Sequence, residues 1–266
     1  MRDITLGQYI NGDSPIHRLD PRVRLILTLV YIIILFTFKS ILQMILALLF
    51  ILVAYAIVKI PLKMLLKSLK PIIPIVLFTS VLNMFFISGD VIFSFWKISV
   101  TKQGLYYAAL LSLRVICLLA GSSLLTYTST PIELTSALES LFKPLSKLGF
   151  PVNDLAMMMT IALRFIPTLL EETDKIMAAQ KSRGANLDTG KLFERIKALT
   201  PILIPLFVSA FRRADELALA MECRCYNGGE GRTRLNELRF KRSDLNAAVI
   251  FTAFCVLLVL AGKITI

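Results

Sequence analysis

Histidine is almost missing from this 266-residue chain: there is one, His17, and tryptophan too occurs once. A lone histidine beside Arg18 makes neither a metal cluster nor an acid–base pair, so His17 reads as structural or interfacial. Cysteine is scarce. Cys117 and Cys255 sit inside apolar blocks, and Cys223 and Cys225 form a C-x-C with no second pair. That excludes a zinc framework and offers no disulfide framework. Acidic residues number 18 against 30 Lys+Arg, a net charge of +12. No G-x-x-x-x-G-K-[ST] is present, and the Gly228–Thr233 stretch lacks the lysine and spacing that cradle phosphates. The chain is therefore not expected to bind ATP by that route. Zinc-finger spacing, aromatic–basic interleaving and RNA-binding signatures are also missing, so nucleic acid is not an expected partner. Neither a metal nor a cofactor is expected. The opening twenty residues hold no apolar run, so a cleavable signal is not expected either.

What the chain has in excess is apolar sequence: 56% hydrophobic residues, only 18% charged, and a mean hydropathy of +0.72. A soluble domain runs at about 45–50% apolar and about 25% charged. The surplus comes in blocks, which points to lipid. Uncharged stretches at 25–38, 40–58, 71–89, 103–130 (broken by Arg114) and 245–262 predict five spans. A spanning helix needs about 20 apolar residues. The first stretch is short, and Arg24 and Lys39 at its ends complete it by snorkelling.

Alternating these spans places 25 Lys+Arg on one side and 4 on the other, with Arg114 inside the membrane. The positive-inside rule then puts the N-terminus, the 59–70 loop and residues 128–242 in the cytoplasm of a multi-pass cell-membrane protein. The expected fold class is all-α. Residues 1–130 form a bundle of four spans, 131–242 three long amphipathic cytoplasmic helices, and 243–266 a last span.

The first amphipathic helix opens on Thr130-Pro131-Ile132-Glu133, a capping box with proline in its first turn. Its stripe is Leu134, Leu138, Leu141, Leu145 and Leu148, and Phe150-Pro151 is expected to end it. The second is expected from Asn153-Asp154 to about Ser182, the third from about Leu192 to Met221. These two form a loose repeat. Each carries an Ile-Pro pair, Ile166-Pro167 and Ile204-Pro205, then an acidic stretch, then a matched tail: Ser182-Arg183-Gly184 against Cys223-Arg224-Cys225.

Few residues here suit chemistry. Arg114 in a span costs on the order of 3 kcal/mol or more to hold there. It reads either as a partner contact or substrate path, or as a guanidinium bonded to backbone carbonyls within the bundle. Ala120-Gly121-Ser122-Ser123 nearby suits close helix packing. Arginine at a helix end is favoured by the helix dipole alone. It can also make forked bonds to a partner carboxylate. Repetition on two long helices shifts Arg183 and Arg224 toward two equivalent docking sites.

With Gly12-Asp13-Ser14-Pro15-Ile16-His17-Arg18-Leu19-Asp20-Pro21-Arg22, Ala162-Leu163-Arg164-Phe165-Ile166-Pro167 and the two tails, nearly the whole chain resembles one family. It is the transmembrane T component (EcfT) of energy-coupling factor transporters, related to the membrane subunit of cobalt importers. In that family each tail typically reads Ala-Arg-Gly; here the second has lost its glycine. The resemblance implies a non-enzymatic coupling subunit of an ABC-type importer. Two ATPase subunits would dock at Arg183 and Arg224, with Ser182, Gly184, Cys223 and Cys225 beside them. The long helices would transmit ATPase motion to a small membrane S component that binds a vitamin or metal ion. The alternative class is a secondary transporter or channel, which needs a polar path through the spans; only Arg114 and Asn83 stand out for one.

Overall fold

The computed structural model describes residues 9–87, 90–95, 98–185, 192–228 and 238–264. Its elements in chain order are α1 (Pro21–Thr37), α2 (Ile41–Val58), α3 (Leu62–Leu69), α4 (Ile73–Phe86), β1 (Val91–Phe95), β2 (Ile98–Thr101), α5 (Lys102–Thr128), α6 (Pro131–Phe142), a 3-10 turn (Lys143–Leu148), α7 (Val152–Ser182), α8 (Leu192–Glu222) and α9 (Arg242–Ile264). The fold class is all-α and the protein is a multi-pass membrane protein. One short antiparallel hairpin, β1–β2, interrupts the helices. The chain divides into two compact units, Met1–Ala137 with Asn236–Ile266, and Leu138–Leu235.

Among the described residues, four helical stretches are long and apolar enough to cross a membrane: Ile41–Val58, Lys102–Thr128, Val152–Ser182 and Arg242–Gly262. A fifth candidate is a broken one, Lys63–Leu69 joined to Ile73–Phe86 through a 60° bend. The sequence predicts a span at 71–89 preceded by a loop at 59–70. The helix inside that span, α4, is unbroken but short, and the segment expected as a loop is itself helical, α3, joined to α4 through the turn at Lys70–Ile72, where Pro71 withholds a backbone donor;. Helix α1 has 17 residues, the low end of spanning length;. Helix α7 passes on its first half, where Arg164 and Asp154 are the charges; from Glu171 onward it is highly charged.

The first unit is held by α5, packed against α1, α2, α3 and α4, with α9 closing on α1 and α2. Its core gathers Tyr31 and Leu35 from α1, Met44, Ala47, Ile51 and Tyr55 from α2, Cys117 and Ala120 from α5, and Leu258 from α9. Gly121 lets α1 come close to α5, since a Cβ there would stand 2.8 Å from the Tyr31 ring;. Buried hydroxyls find backbone acceptors: Tyr55 donates to the Ala120 carbonyl at 3.2 Å and Tyr31 to the Ala47 carbonyl at 3.3 Å;. Gln43 works twice. Its Oε1 takes the Ser40 N–H at 3.2 Å as a capping box, and its Nε2 donates to the Leu258 carbonyl at 3.0 Å;. The outer faces carry Ile33, Phe36, Ile75, Leu77, Phe78 and Phe86, all exposed, as lipid-facing helices require;.

The sequence expectation for α6 needs correction. The helix ends at Phe142, not at Phe150-Pro151, because Pro144 cannot donate into a continuing helix;. The chain tightens into the 3-10 turn, and Leu145 and Leu148 fall off the stripe into exposed positions.

Candidate coupling site

Helices α7 and α8, 31 residues each, match their expected bounds to within a residue. They pack against each other in antiparallel sense. Glu172 accepts from the Ser209 hydroxyl and from Arg213 Nη2 at 3.1 Å, and Gln180 Nε2 donates to the Pro201 carbonyl at 3.3 Å. A step toward the C-terminus of α7 is thus a step toward the N-terminus of α8. The Ser209 hydroxyl first, and Arg213 with it, hold the Glu172 carboxyl below the usual carboxylate range;.

The two tails lie beyond this clasp on opposite helix ends, no more than about 40 Å apart at 1.5 Å per residue. Their backbones are the same. Arg183 caps α7, with Gly184 N–H bonded to the Lys181 carbonyl at 3.0 Å and Ala185 N–H to the Gln180 carbonyl at 3.0 Å. Forty-one residues on, Arg224 stands before Cys225, whose N–H bonds to the Glu222 carbonyl at 2.8 Å, while Tyr226 N–H bonds to the Met221 carbonyl at 3.0 Å. Both are Schellman turns with the arginine at the cap. The turn needs a left-handed residue after the arginine: Gly184 takes φ +85°, and Cys225 takes φ +57° without being glycine. The lost glycine in the second tail has therefore not changed the turn. Ser182, Arg183, Gly184, Cys223, Arg224 and Cys225 are all exposed, and neither arginine has a side-chain partner among the described residues.

Arg114 bonds through Nη2 to the Phe38 carbonyl, so the carbonyl-bonded reading is the one realised. His17 is equally occupied. Its Nε2 lies 3.0 Å from the Ile10 carbonyl and its Nδ1 2.8 Å from Ser14 Oγ, so the ring donates to the carbonyl and accepts from the hydroxyl;. Ile10 N–H in turn donates to the Tyr127 carbonyl. The Asp13–Arg22 stretch is thus a clasp around the start of α1. Asp20 caps α1 through Arg22 N–H at 2.9 Å, and its own N–H donates to Asp244 at the start of α9 at 2.9 Å.

The expectation that Arg24 snorkels to the interface needs correction, because the guanidinium is buried against protein partners. The Arg24 side chain is 4% exposed. One Nη donates to the Thr128 carbonyl at the end of α5, the other to Glu133 Oε2 at 2.9 Å at the start of α6. Glu133 is the capping-box residue expected from Thr130: its carboxylate takes Thr130 N–H at 3.3 Å, and Thr130 Oγ1 takes Glu133 N–H at 3.2 Å. The only sequence signal for the partnership is the charge of both residues.

A family model described as CbiQ, cobalt transport protein, matches residues 12–235, a range that includes the clasp, α6 and both tails. The chain belongs to this family. It is 50% identical to the energy-coupling factor transporter transmembrane protein EcfT of Ruminiclostridium cellulolyticum over 261 residues, covering 97% of this chain and 98% of the relative. The EcfT protein of Clostridium kluyveri is 51% identical over 251 residues, covering 94% and 93%. That of Bacillus subtilis is 45% identical over 259 residues, covering 97% and 98%. The tails of α7 and α8 thus belong to an EcfT-type transmembrane component of a transporter.

Proposed function

We propose that this EcfT-type chain is the coupling subunit of an ATP-driven importer and hydrolyses nothing itself. Residues 1–130 and 243–266 form its membrane part, and 131–242 its cytoplasmic coupling segment. Two ATPase subunits dock on the tails, one at Arg183 and one at Arg224. Their closing and opening move α7 against α8, and the movement reaches a small membrane S component that binds a vitamin or metal ion. The observation that carries this reading is the pair of identical arginine-capped turns, both exposed, at opposite ends of an antiparallel helix pair. Two copies of one ATPase fold need two copies of one docking element, held apart. Each arginine is exposed at its helix end, where its guanidinium can fork onto an acidic groove;.

The experiment is charge reversal. Removing one member of a buried, hydrogen-bonded charge pair costs on the order of 2–5 kcal/mol, and two engaged sites add avidity. Arg183→Glu or Arg224→Glu alone weakens transport. The double variant inserts normally but separates from the ATPases on co-purification. Arg212→Glu, an exposed arginine on α8 outside both tails, is the control and leaves the complex intact. A double variant that keeps its ATPases and its transport refutes the docking assignment.

A further inference from the structure

A cavity of about 440 Å³ in the first unit has no role in the coupling reading. Its lining is ordered along the helices. On α1 it runs from Arg24 to Tyr31, on α5 from Thr128 back to Gly121, and on α9 from Ser243 to Phe251. Arg24, Thr128 and Ser243 stand at one end of the cavity, and the side chains beyond them are mostly apolar. At 1.5 Å per residue the two ends are about 10–12 Å apart. One leaflet's share of a 30 Å hydrocarbon core is about 15 Å, so the cavity follows most of one leaflet inward from its surface. Ile57 and Ile250 line the cavity and are also 46% and 64% exposed, so it opens onto the lipid-facing surface.

The rim adds a second observation. Both Nη atoms of Arg24 are bonded, but its Nε is buried with no partner among the described residues. A buried N–H without an acceptor is destabilising. The rim carries a small positive excess. Arg24 itself and Arg22, Lys241 and Arg242, within two residues of its polar positions, stand against three carboxylates: Glu133, paired with Arg24, Asp20, which caps α1 and faces Arg22, and Asp244, which takes the N–H groups of Asp20 and Lys241. Below the rim the lining is mostly apolar; Thr28 is bonded to the Arg24 carbonyl and Tyr31 to the Ala47 carbonyl, and Asn246 on α9 is a further polar side chain there.

We propose that this cavity is a lipid site: it takes one acyl chain of an anionic phospholipid from the leaflet at the chain's basic side. The ester or phosphate oxygens of that lipid lie at the rim and accept the Arg24 Nε–H. The acyl chain fills the space between α1, α2, α5 and α9.

The test uses the full chain, purified and stripped of lipid, and titrated with phosphatidylglycerol carrying a photoactivatable group on one acyl chain. Crosslinked peptides are mapped by mass spectrometry, and retained lipid is counted by native mass spectrometry. The expected result is one tightly retained lipid crosslinked to the cavity walls on α5 and α9. Ala54→Phe and Ala247→Phe, which fill the cavity from α2 and α9, lower that retention at least tenfold. Val53→Phe, on the outer face, does not. Crosslinks spread evenly over outer positions such as Ile33 and Ile75, with no enrichment at the cavity, overturn the site on the unmodified chain, whatever the variants do. Equal retention of phosphatidylcholine overturns the anionic preference. Equal retention of a free fatty acid overturns the role of the ester or phosphate oxygens.

Discussion

Arg24 and Glu133, 109 residues apart, form an ion pair of 2.9 Å across the corner where α5 gives way to α6. The guanidinium holds both sides of that corner, since its other Nη binds the Thr128 carbonyl. Arg24→Ala removes both bonds and leaves the Glu133 carboxylate with only its capping N–H. The carboxylate side of the pair is 40% exposed, so the cost lies below that of a fully buried pair, at about 2–3 kcal/mol;. Glu133→Gln keeps an acceptor for Thr130 N–H and costs about 1 kcal/mol. Thermal unfolding in detergent should rank the variants in that order, and a double-mutant cycle should show coupling. Additive effects would mean that the pair contributes nothing as a pair.

Glu172 joins α7 to α8, and its carboxyl is held below the usual carboxylate range by Ser209 and Arg213. A depressed folded value means the contribution is fully present above the unfolded carboxylate value. It is lost as pH falls through the lower, folded one. Spin labels at Gln180 and Pro201, on facing turns of the two helices, should therefore show one short, narrow distance at neutral pH and a broadened, longer one once acid has protonated Glu172. Glu172→Gln should show the broadened distribution at both. An unchanged distance distribution at all pH values in both proteins would remove Glu172 from the clasp.

The parts of this fold written in periodicity were legible in advance. Helices α7 and α8 were, because each carries an Ile-Pro pair, an acidic stretch and a matched tail along about 30 residues. So was the capping box at Thr130. The end of α6 was misplaced because an apolar 4-3 spacing continues through Pro144, and proline overrides pattern. The hairpin at β1 and β2 was not foreseen, since the run is short and Trp96-Lys97 between the strands carries no glycine turn signal. Tail geometry was half legible. Glycine announces the left-handed turn after Arg183, and nothing in Cys225 announces the same turn after Arg224. The Arg24–Glu133 pair and the rim of the cavity join residues remote in sequence, which periodicity cannot bring together.

The asymmetry of 25 to 4 basic residues about the spans predicts sidedness;. In a cysteine-free background, a single cysteine at Ser140 should react with an impermeant reagent only from the cytoplasmic face. One at Asp90, an exposed position just before β1, should react only from outside. Labelling of both from one face would overturn the alternation of spans between them.

Cys225 holds a left-handed backbone at φ +57°, where a Cβ crowds the following carbonyl oxygen and costs about 1–2 kcal/mol;. Glycine at the equivalent Gly184 takes φ +85° without that cost;. Opposite substitutions should therefore act in opposite directions. Cys225→Gly relieves the strain, offset in part by the extra backbone freedom of glycine in the unfolded chain, and should stabilise the end of α8 by up to about 1 kcal/mol. Gly184→Ala forces a Cβ into the same conformation and should destabilise the end of α7 by about 1 kcal/mol. No atom lies within 4 Å of a Cβ placed at Gly184, so the effect is purely conformational. Hydrogen exchange at Ala185 and Tyr226, whose N–H groups close the two turns, is the readout. Protection should rise at Tyr226 in Cys225→Gly and fall at Ala185 in Gly184→Ala. If Cys225→Gly instead loosens Tyr226, the second turn is held by the Cys225 side chain rather than in spite of it. The two tails would then be alike in backbone but not in what stabilises them.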